Sequence, residues 1–231
     1  MRLSGPRFLV LVGLLGIGIV VATDQIVPAS SAHQAQMRVW LAARATGIVA
    51  YLLLVAQVVF GLILSHPTNQ TTWKLSKRLF PWHENLWMFV LAFLAAHIVS
   101  LLLDPYAGVG LAGTFLPGLS SYRSSPVALG TLSMYALIVT GLTARYTRLL
   151  PSGLWLKLHR LALVVVVLAW LHGTLAGTDT GALETMYLVT GGLVLGAAAY
   201  RYWVARKARP TFSTSLPDAN LEPRMKEAVP R

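Results

Sequence analysis

Four histidines lie within long apolar stretches of the sequence, where an ionisable side chain is costly. His83 and His97 are fourteen residues apart in WHENLWMFVLAFLAAHIVSLLL, and His159 and His172 are thirteen apart in LHRLALVVVVLAWLHG. An imidazole in hydrocarbon needs a partner, and neutral imidazole is a common metal ligand. Paired histidines of this kind therefore predict a metal site inside a membrane.

Helical geometry sorts the four imidazoles into two depths. Fourteen residues of helix rise ~21 Å in almost four full turns, so His83 and His97 leave the same face. Thirteen residues rise ~20 Å but leave His172 about 140° away from the face of His159. A bend, a local π or 3₁₀ turn, or two haems rolled differently could absorb this difference. Two helices that run in the same direction then offer one pair near each end. The inner pair is His83 and His159, and the outer pair is His97 and His172.

Two interpretations of these pairs are open. Each imidazole can form a hydrogen bond with a neighbouring helix or with water at the end of its span, which suits the inner pair near an interface. Alternatively, a haem iron between two neutral imidazoles takes up the lone pairs, and two haems account for all four histidines. With zero cysteines, the chain has no thiolate ligand, iron–sulfur cluster or covalently attached c-type haem. His33 and His66 are predicted to be solvated loop residues.

The elements that position these histidines are predicted to be membrane-spanning helices. The chain is 55% hydrophobic and 12% charged, with a mean hydropathy of +0.63, which is typical of an integral membrane protein. A span needs about 20 apolar residues. Six runs meet this length, at residues 8–27, 40–64, 84–103, 126–145, 156–176 and 183–204. Alternation of period two is absent, so we predict an all-α, six-helix integral membrane bundle over residues 1–204.

The charge distribution predicts the orientation of this bundle. With the N-terminus inside, sixteen of the nineteen Lys and Arg residues fall on the cytoplasmic side, and only Arg38, Arg44 and Arg123 fall outside. The positive-inside rule then places both termini in the cytoplasm of a multi-pass protein of the bacterial inner (plasma) membrane type. This pattern explains the net charge of +11 without a nucleic-acid partner. The polar tail, residues 205–231, is predicted to be disordered.

The first run has a second interpretation. Arg2 and Arg7 precede an apolar stretch, and PASSA ends at Ala32, an order that also suits a signal peptide. Cleavage of residues 1–32 would leave five spans and would not affect the central histidines.

Four cations are candidates for cofactor binding. Lys157 and Arg160 flank an inner histidine and could pair with haem propionates, although any cytoplasmic helix end carries such anchors. Arg44 begins the second span against the charge bias, and Arg123 lies in the outer segment 104–125, which is either a structured cap or a plain connector. Both could face outer propionates or an anionic acceptor; the alternative for Arg123 is a solvated loop residue.

The sequence resembles the ferric reductase transmembrane domain, which is shared by ferric reductases, NADPH oxidases and the haem-binding membrane subunit of periplasmic methionine sulfoxide reductase. The likeness covers residues 8–204, and the paired histidine spacing is its specific part. Supporting stretches are RATGIVAYLLL, DPYAGVG, SSYRSSPVALGTLSMY and WLKLHRLALVVVVLAWLHG. The resemblance implies two b-type haems, each bound by two histidines, that pass electrons outward. It pairs His83 with His159 and His97 with His172.

The likeness stops short of a complete reductase. Ferric reductases and NADPH oxidases usually continue into a cytosolic FAD and NADPH domain, whereas 27 residues follow the sixth predicted span. A domain needs at least ~50 residues, and the tail has no G-x-G-x-x-G fingerprint. We therefore expect an oxidoreductase component without catalytic residues of its own, and FAD or FMN only on a separate partner.

The predicted electron donor is thus a flavoprotein or membrane quinol. The predicted acceptor is a ferric chelate, dioxygen or an extracytoplasmic partner reductase. A function from another class is a haem-free membrane transporter or scaffold whose histidines relay protons. Transporters often have broken helices at the midplane, and the spans as placed contain no internal proline.

Overall fold

The protein is a bundle of helices in a computed structural model, which describes residues 5–26, 31–67, 74–104, 107–151 and 153–207. These residues contain helices and turns, without a β-strand. The helices are α1 (Gly5–Ile26), α2 (Ala32–Leu64), α3 (Lys74–Leu103), α4 (Gly110–Phe115), α5 (Ser124–Arg145), α6 (Leu154–His159), α7 (Ala162–Ala176) and α8 (Glu184–Lys207). A 3₁₀ turn at Thr147–Leu149 joins α5 to the loop before α6.

Within these residues, four helical segments are long and apolar enough to cross a membrane. They are Ala32–Leu64, Leu75–Leu103, Ser124–Arg145 and Leu154–Ala176, and they cover four of the six predicted spans. In α1 the apolar part is shorter, Val10–Ala22, and α8 is not one of the four. The prediction of an all-α, multi-pass membrane protein is confirmed at this level.

The centre of the bundle is an aliphatic core between α2, α3, α5 and α7. Val90 on α3 and Val165 on α7 are almost completely buried, and Leu137 on α5 packs in the same cluster. The Ser133 hydroxyl on α5 donates a hydrogen bond to the Val165 carbonyl at 2.9 Å. This contact joins the two helices at mid-bundle, because a buried hydroxyl has to find an acceptor.

The third span begins earlier than predicted and contains a proline. We predicted a start at residue 84 and no proline inside any span; α3 begins at Lys74 and includes Pro81. Pro81 lacks the N–H that would donate to the carbonyl of Lys77, so this turn is weakened two residues before His83. The prediction was wrong because the charged residues before Pro81 interrupt the apolar pattern but not the helix.

The fifth span is interrupted between its two histidines, which is one of the options that the thirteen-residue spacing left open. Its first part, α6, ends at His159, and α7 begins at Ala162. The Leu161 N–H bonds to the Leu158 carbonyl, and the Leu163 N–H bonds to the Arg160 carbonyl. Both are three-residue bonds of the 3₁₀ type, which turn the chain more tightly than an α-helix does.

The first helix packs against the third. Phe8 is 6% exposed and stacks on Trp87 at 4.9 Å, and Val12 is buried beside Ala92. The Arg145 guanidinium covers the Phe8 ring at 4.7 Å. At the other end of the chain, α8 ends at Lys207, so most of the predicted disordered tail lies outside the described residues.

Candidate functional site

The rings of the inner pair lie close together inside the bundle. The ring centroids of His83 and His159 are 6.1 Å apart, and the ring planes are nearly perpendicular, at 87°. Two imidazoles bound at ~2.0–2.1 Å on opposite sides of one metal ion place their ring centres on the order of 6 Å apart. The spacing of the inner pair therefore fits one metal ion held between two nitrogens.

The outer pair borders a cavity of about 340 Å³ between α2, α3, α5 and α7. His97 and His172 both line it. Much of the remaining lining is apolar and includes Ile48, Leu94 and Met134. Small-molecule and cofactor sites are typically ~300–1,000 Å³ and mostly apolar, with a few polar groups that fix orientation. The cavity has this character.

Three of the four imidazoles are oriented by backbone carbonyls through Nδ1. The pairs are His83 with Gln57 (3.0 Å), His97 with Ala43 (2.6 Å) and His172 with Pro126 (2.9 Å). A carbonyl oxygen can only accept, so in each case Nδ1 carries the hydrogen and donates it. The lone pair of a neutral imidazole is then on Nε2, the nitrogen available to bind a metal.

The fourth imidazole has a looser contact. Nδ1 of His159 is buried without a hydrogen bond of ordinary geometry, although the Thr140 backbone lies close to the ring. The four backbone groups that face the imidazoles nevertheless share one spacing along their helices. Ala43 and Gln57 are fourteen residues apart on α2, and Pro126 and Thr140 are fourteen apart on α5. Each of these helices therefore serves one histidine of each pair.

Glycines provide the space in which three of the rings lie. A Cβ added at Gly47 would be 2.8 Å from the His97 ring, and one at Gly130 would be 2.7 Å from the His172 ring. A Cβ at Gly61 would be 3.2 Å from the His83 ring. Each glycine lies four residues after the carbonyl that its histidine contacts, which is one helical turn. A carbonyl and the adjacent glycine together hold each of these imidazoles.

Protein side chains alone do not complete a metal site here. No group of three or more His, Cys, Asp or Glu side chains that could hold a metal ion occurs among the described residues. Two imidazoles are enough, however, when a porphyrin supplies the other four nitrogens. A site with two imidazoles would thus need such additional ligands from outside the protein.

Arg44 lies at the cavity of the outer pair, where the sequence analysis expected an anionic group. Its guanidinium forms an ion pair with Asp179, in which Nε donates to one carboxylate oxygen at 2.9 Å. It also lies 5.1 Å from the centre of the Trp40 ring. The partner found for Arg44 is thus a carboxylate of the protein, beside the cavity that it lines.

The other three predicted cations lie at the ends of helices. Arg123 is exposed, and its guanidinium donates to the carbonyls of Leu175 and Gly177 at the end of α7, at 2.8 and 3.2 Å. These carbonyls follow His172 on α7 within five residues, so Arg123 lies near the outer pair. Arg123 is not among the residues that line the cavity. Lys157 and Arg160 are exposed and flank His159, the inner histidine on α6. Their predicted propionate contacts stay predictions.

Sequence reasoning missed several groups that hold the site. Gly130, whose neighbour is an imidazole ring, was not among the predicted site residues. The fourteen-residue repeat of small residues on α2 was a signal that could have led to the matching positions on α5. Asp179 gave no signal, because its partner Arg44 is 135 residues away in the sequence.

The chain was compared with known proteins at three levels. No protein-family model, curated protein or solved structure matches it.

Proposed function

We propose that the protein is a transmembrane electron conduit that holds two b-type haems, one at each histidine pair. The ligands are His83 with His159 and His97 with His172. Electrons would enter at the inner haem from a cytoplasmic flavoprotein or membrane quinol and leave from the outer haem. The acceptor would be a ferric chelate, dioxygen or an extracytoplasmic partner reductase. The resemblance to the ferric reductase transmembrane domain supports the same function.

The observation that carries this proposal is the orientation of the imidazoles. A histidine that serves only helix packing can bond through either nitrogen, whereas three of these rings use Nδ1 on a backbone carbonyl. Metal-bound histidines usually donate their other N–H to a carbonyl or carboxylate, which fixes the tautomer and the ring direction. The 6.1 Å separation within the inner pair adds a distance that fits two ligands of one iron.

When bound, the haems would supply the one-electron chemistry. The protein holds the ligands at two depths ~21 Å apart along α3. Its carbonyls orient the imidazoles, and its apolar core keeps the surroundings dry. Burial and nearby charge are the means by which a protein adjusts haem potentials. FAD or FMN enters this scheme only through a separate partner.

The proposal includes a six-span arrangement with both termini in the cytoplasm. Support comes from the packing of the two helices outside the four candidate spans. Phe8 on α1 is buried against α3. On α8, the hydroxyl of Thr190 is 2.6 Å from that of Tyr51 on α2. The packing of these two helices along the spans supports a count of six, and the positive-inside rule supports the orientation.

A haem-free proton relay is the second candidate, and one observation favours it. Pro81 interrupts the hydrogen bonding of α3 near His83, and transporters often use such breaks. The carbonyl contacts argue the other way. A relay imidazole has to exchange protons through both nitrogens, and Nδ1 of three of the histidines is already engaged with the backbone.

The proposal is tested by the reduced-minus-oxidised optical spectrum of the purified full chain, together with haem quantification. We expect b-type bands and two haems per chain. His97→Ala should leave one haem, and His83→Ala should leave the other, with a different spectrum or potential. The matched control is His33→Ala, which removes an exposed histidine of α2 and should retain both haems.

Three results would contradict the proposal. A spectrum without b-type bands in protein produced with haem available would remove the haem function altogether. One haem per chain would leave only one of the two pairs as a site. If His97→Ala retained two haems, the assignment of the outer ligands would be wrong.

A further inference from the structure

The segment Val109–Leu119, which contains α4, has its apolar side chains on the outside. Exposed residues are Leu111, Phe115, Leu116 and Leu119. On the side toward the bundle, Val109, Gly113 and Thr114 are buried. Residues 105–122 contain no charged side chain. A loop in water has the opposite distribution, since large apolar groups are costly to expose there.

Two hydrogen bonds to α5 show how far this segment descends along the bundle. The Thr131 hydroxyl donates to the Thr114 carbonyl at 3.0 Å, and the Tyr135 hydroxyl donates to the Phe115 carbonyl at 2.6 Å. Thr131 is seven residues after Ser124, the first residue of α5, which corresponds to ~10 Å of helix. Tyr135 is a further turn along. The segment therefore lies beside α5 and not above its end.

The length of α5 indicates how deep in the membrane these two hydrogen bonds lie. Its 22 residues span ~33 Å, and the hydrocarbon core is ~30 Å thick. The helix has almost no length to spare. Moving Thr131 out of the hydrocarbon would draw Arg145, at the other end, into it, and a buried cation is costly. The carbonyls of Thr114 and Phe115 thus lie at hydrocarbon depth.

The backbone carbonyls of the segment have the hydrogen-bond partners that a position in hydrocarbon requires. Carbonyls in the last turn of a helix lack partners within the helix, and hydrocarbon offers no water to replace them. Here two of them are satisfied by the α5 hydroxyls, and the Gly118 carbonyl accepts from Ser124 at 2.7 Å. The Gly108 carbonyl accepts from Ser121. Side chains thus complete the hydrogen bonding that a loop in water would leave to solvent.

We propose that Val109–Leu119 is a re-entrant segment whose outer face contacts lipid acyl chains. The face continues the lipid-facing surface of α5, where Leu132 is also exposed. On the inner side, Val109 and Thr114 line the cavity of the outer pair, so the segment separates that cavity from lipid. The inference concerns a membrane contact and holds whether or not the cavity binds a haem.

The chain has zero cysteines, so single-cysteine variants can be spin-labelled without changing any native residue elsewhere. The labelled sites are Leu111→Cys and Leu116→Cys, which are 68% and 53% exposed. Leu132→Cys on α5 is the lipid-facing control at matching depth, and Leu149→Cys, 81% exposed between α5 and α6, is the control beyond the span. The full chain is reconstituted in phosphatidylcholine and phosphatidylglycerol vesicles.

Collision rates with dioxygen and with a water-soluble nickel chelate are measured by paramagnetic resonance. We expect both segment labels to match Leu132→Cys, with frequent oxygen collisions and nickel access several-fold lower than at Leu149→Cys. Nickel access equal to that at Leu149→Cys would overturn the proposal, because the segment would be in water. Exclusion of both reagents would also overturn it, because a protein surface, such as a second copy, would then cover the face. The haem content of the same samples reports separately on the proposed function.

Discussion

Gly130→Ala is the sharpest test of how the structure holds an outer ligand. The added Cβ would be 2.7 Å from Nδ1 of His172 and within 2.9 Å of two further ring atoms. Ordinary non-bonded contacts are ~3.5–4.0 Å, so the whole ring has to withdraw by about 1 Å. The bond from Nδ1 to the Pro126 carbonyl, now 2.9 Å, would then exceed the ~3.2 Å limit of a good hydrogen bond.

Two opposing terms decide the sign of the effect on stability. Alanine gains about 0.5–1 kcal/mol over glycine in a helix, whereas overpacking costs about 1–3 kcal/mol. A net loss of stability follows. The larger effect is expected on the proposed outer haem, because loss of a group that orients a metal-bound histidine reduces metal affinity by about 10–100-fold. We expect the outer haem to be lost or weakened while the inner haem is retained.

The assay is haem titration of purified Gly130→Ala, followed in the reduced-minus-oxidised spectrum, with helical content as a check on folding. Gly192→Ala is the matched control, since a Cβ at this helical glycine meets nothing within 4 Å. The control should bind haem like the unchanged protein. Equal haem affinity in Gly130→Ala and Gly192→Ala would show that the glycine does not hold the ring, and the reasoning would fail.

Three further predictions address other parts of the bundle. Phe8→Ala removes a buried ring and should lower the melting temperature. Such losses cost ~3–5 kcal/mol of stability in soluble cores and less where lipid can refill the space. The control Ile17→Ala, at an exposed site of α1, should leave the melting temperature unchanged. Arg44→Gln removes a cation close to the outer pair and should lower the outer haem potential, whereas Asp179→Asn should raise it; equal potentials in a redox titration would contradict the role of their charges. Tyr135→Phe should destabilise by about 0.6 kcal/mol, the average for a hydrogen bond between membrane helices, and an unchanged unfolding free energy would show that this hydroxyl contributes nothing.

The helices could be predicted from the sequence because they depend on local apolar repeats. Apolar runs of span length identified the four candidate spans, and residue spacing placed two imidazoles on each of two helices. An irregular turn between His159 and His172 was one of the options that helical geometry left open. The extra turns of α3 before Pro81 could not be predicted, because a helix end in water carries charged residues and its sequence resembles that of a loop.

The surroundings of the histidines could not be predicted in the same way. A backbone carbonyl has no signature in the sequence, so Ala43 and Gln57 look like ordinary lining residues until the neighbouring helix is placed. The same applies to the segment Val109–Leu119, which we predicted to be either a cap or a connector. Its position depends on where the hydroxyls of α5 point, and only tertiary packing determines that.

The histidine sites are built by two helical hairpins of similar construction. In the first, α2 supplies the carbonyls and α3 the histidines; in the second, α5 supplies the carbonyls and the α6–α7 helix the histidines. The glycine one turn beyond the carbonyl is present in three cases, and the fourth position, after Thr140, is Ala144. This fourth case is also the one in which the ring, that of His159, lacks an ordinary hydrogen bond. The missing glycine in the sequence and the missing hydrogen bond in the structure thus concern the same histidine, His159. The inner pair therefore has one firmly oriented ring and one looser ring, whereas both rings of the outer pair are fixed.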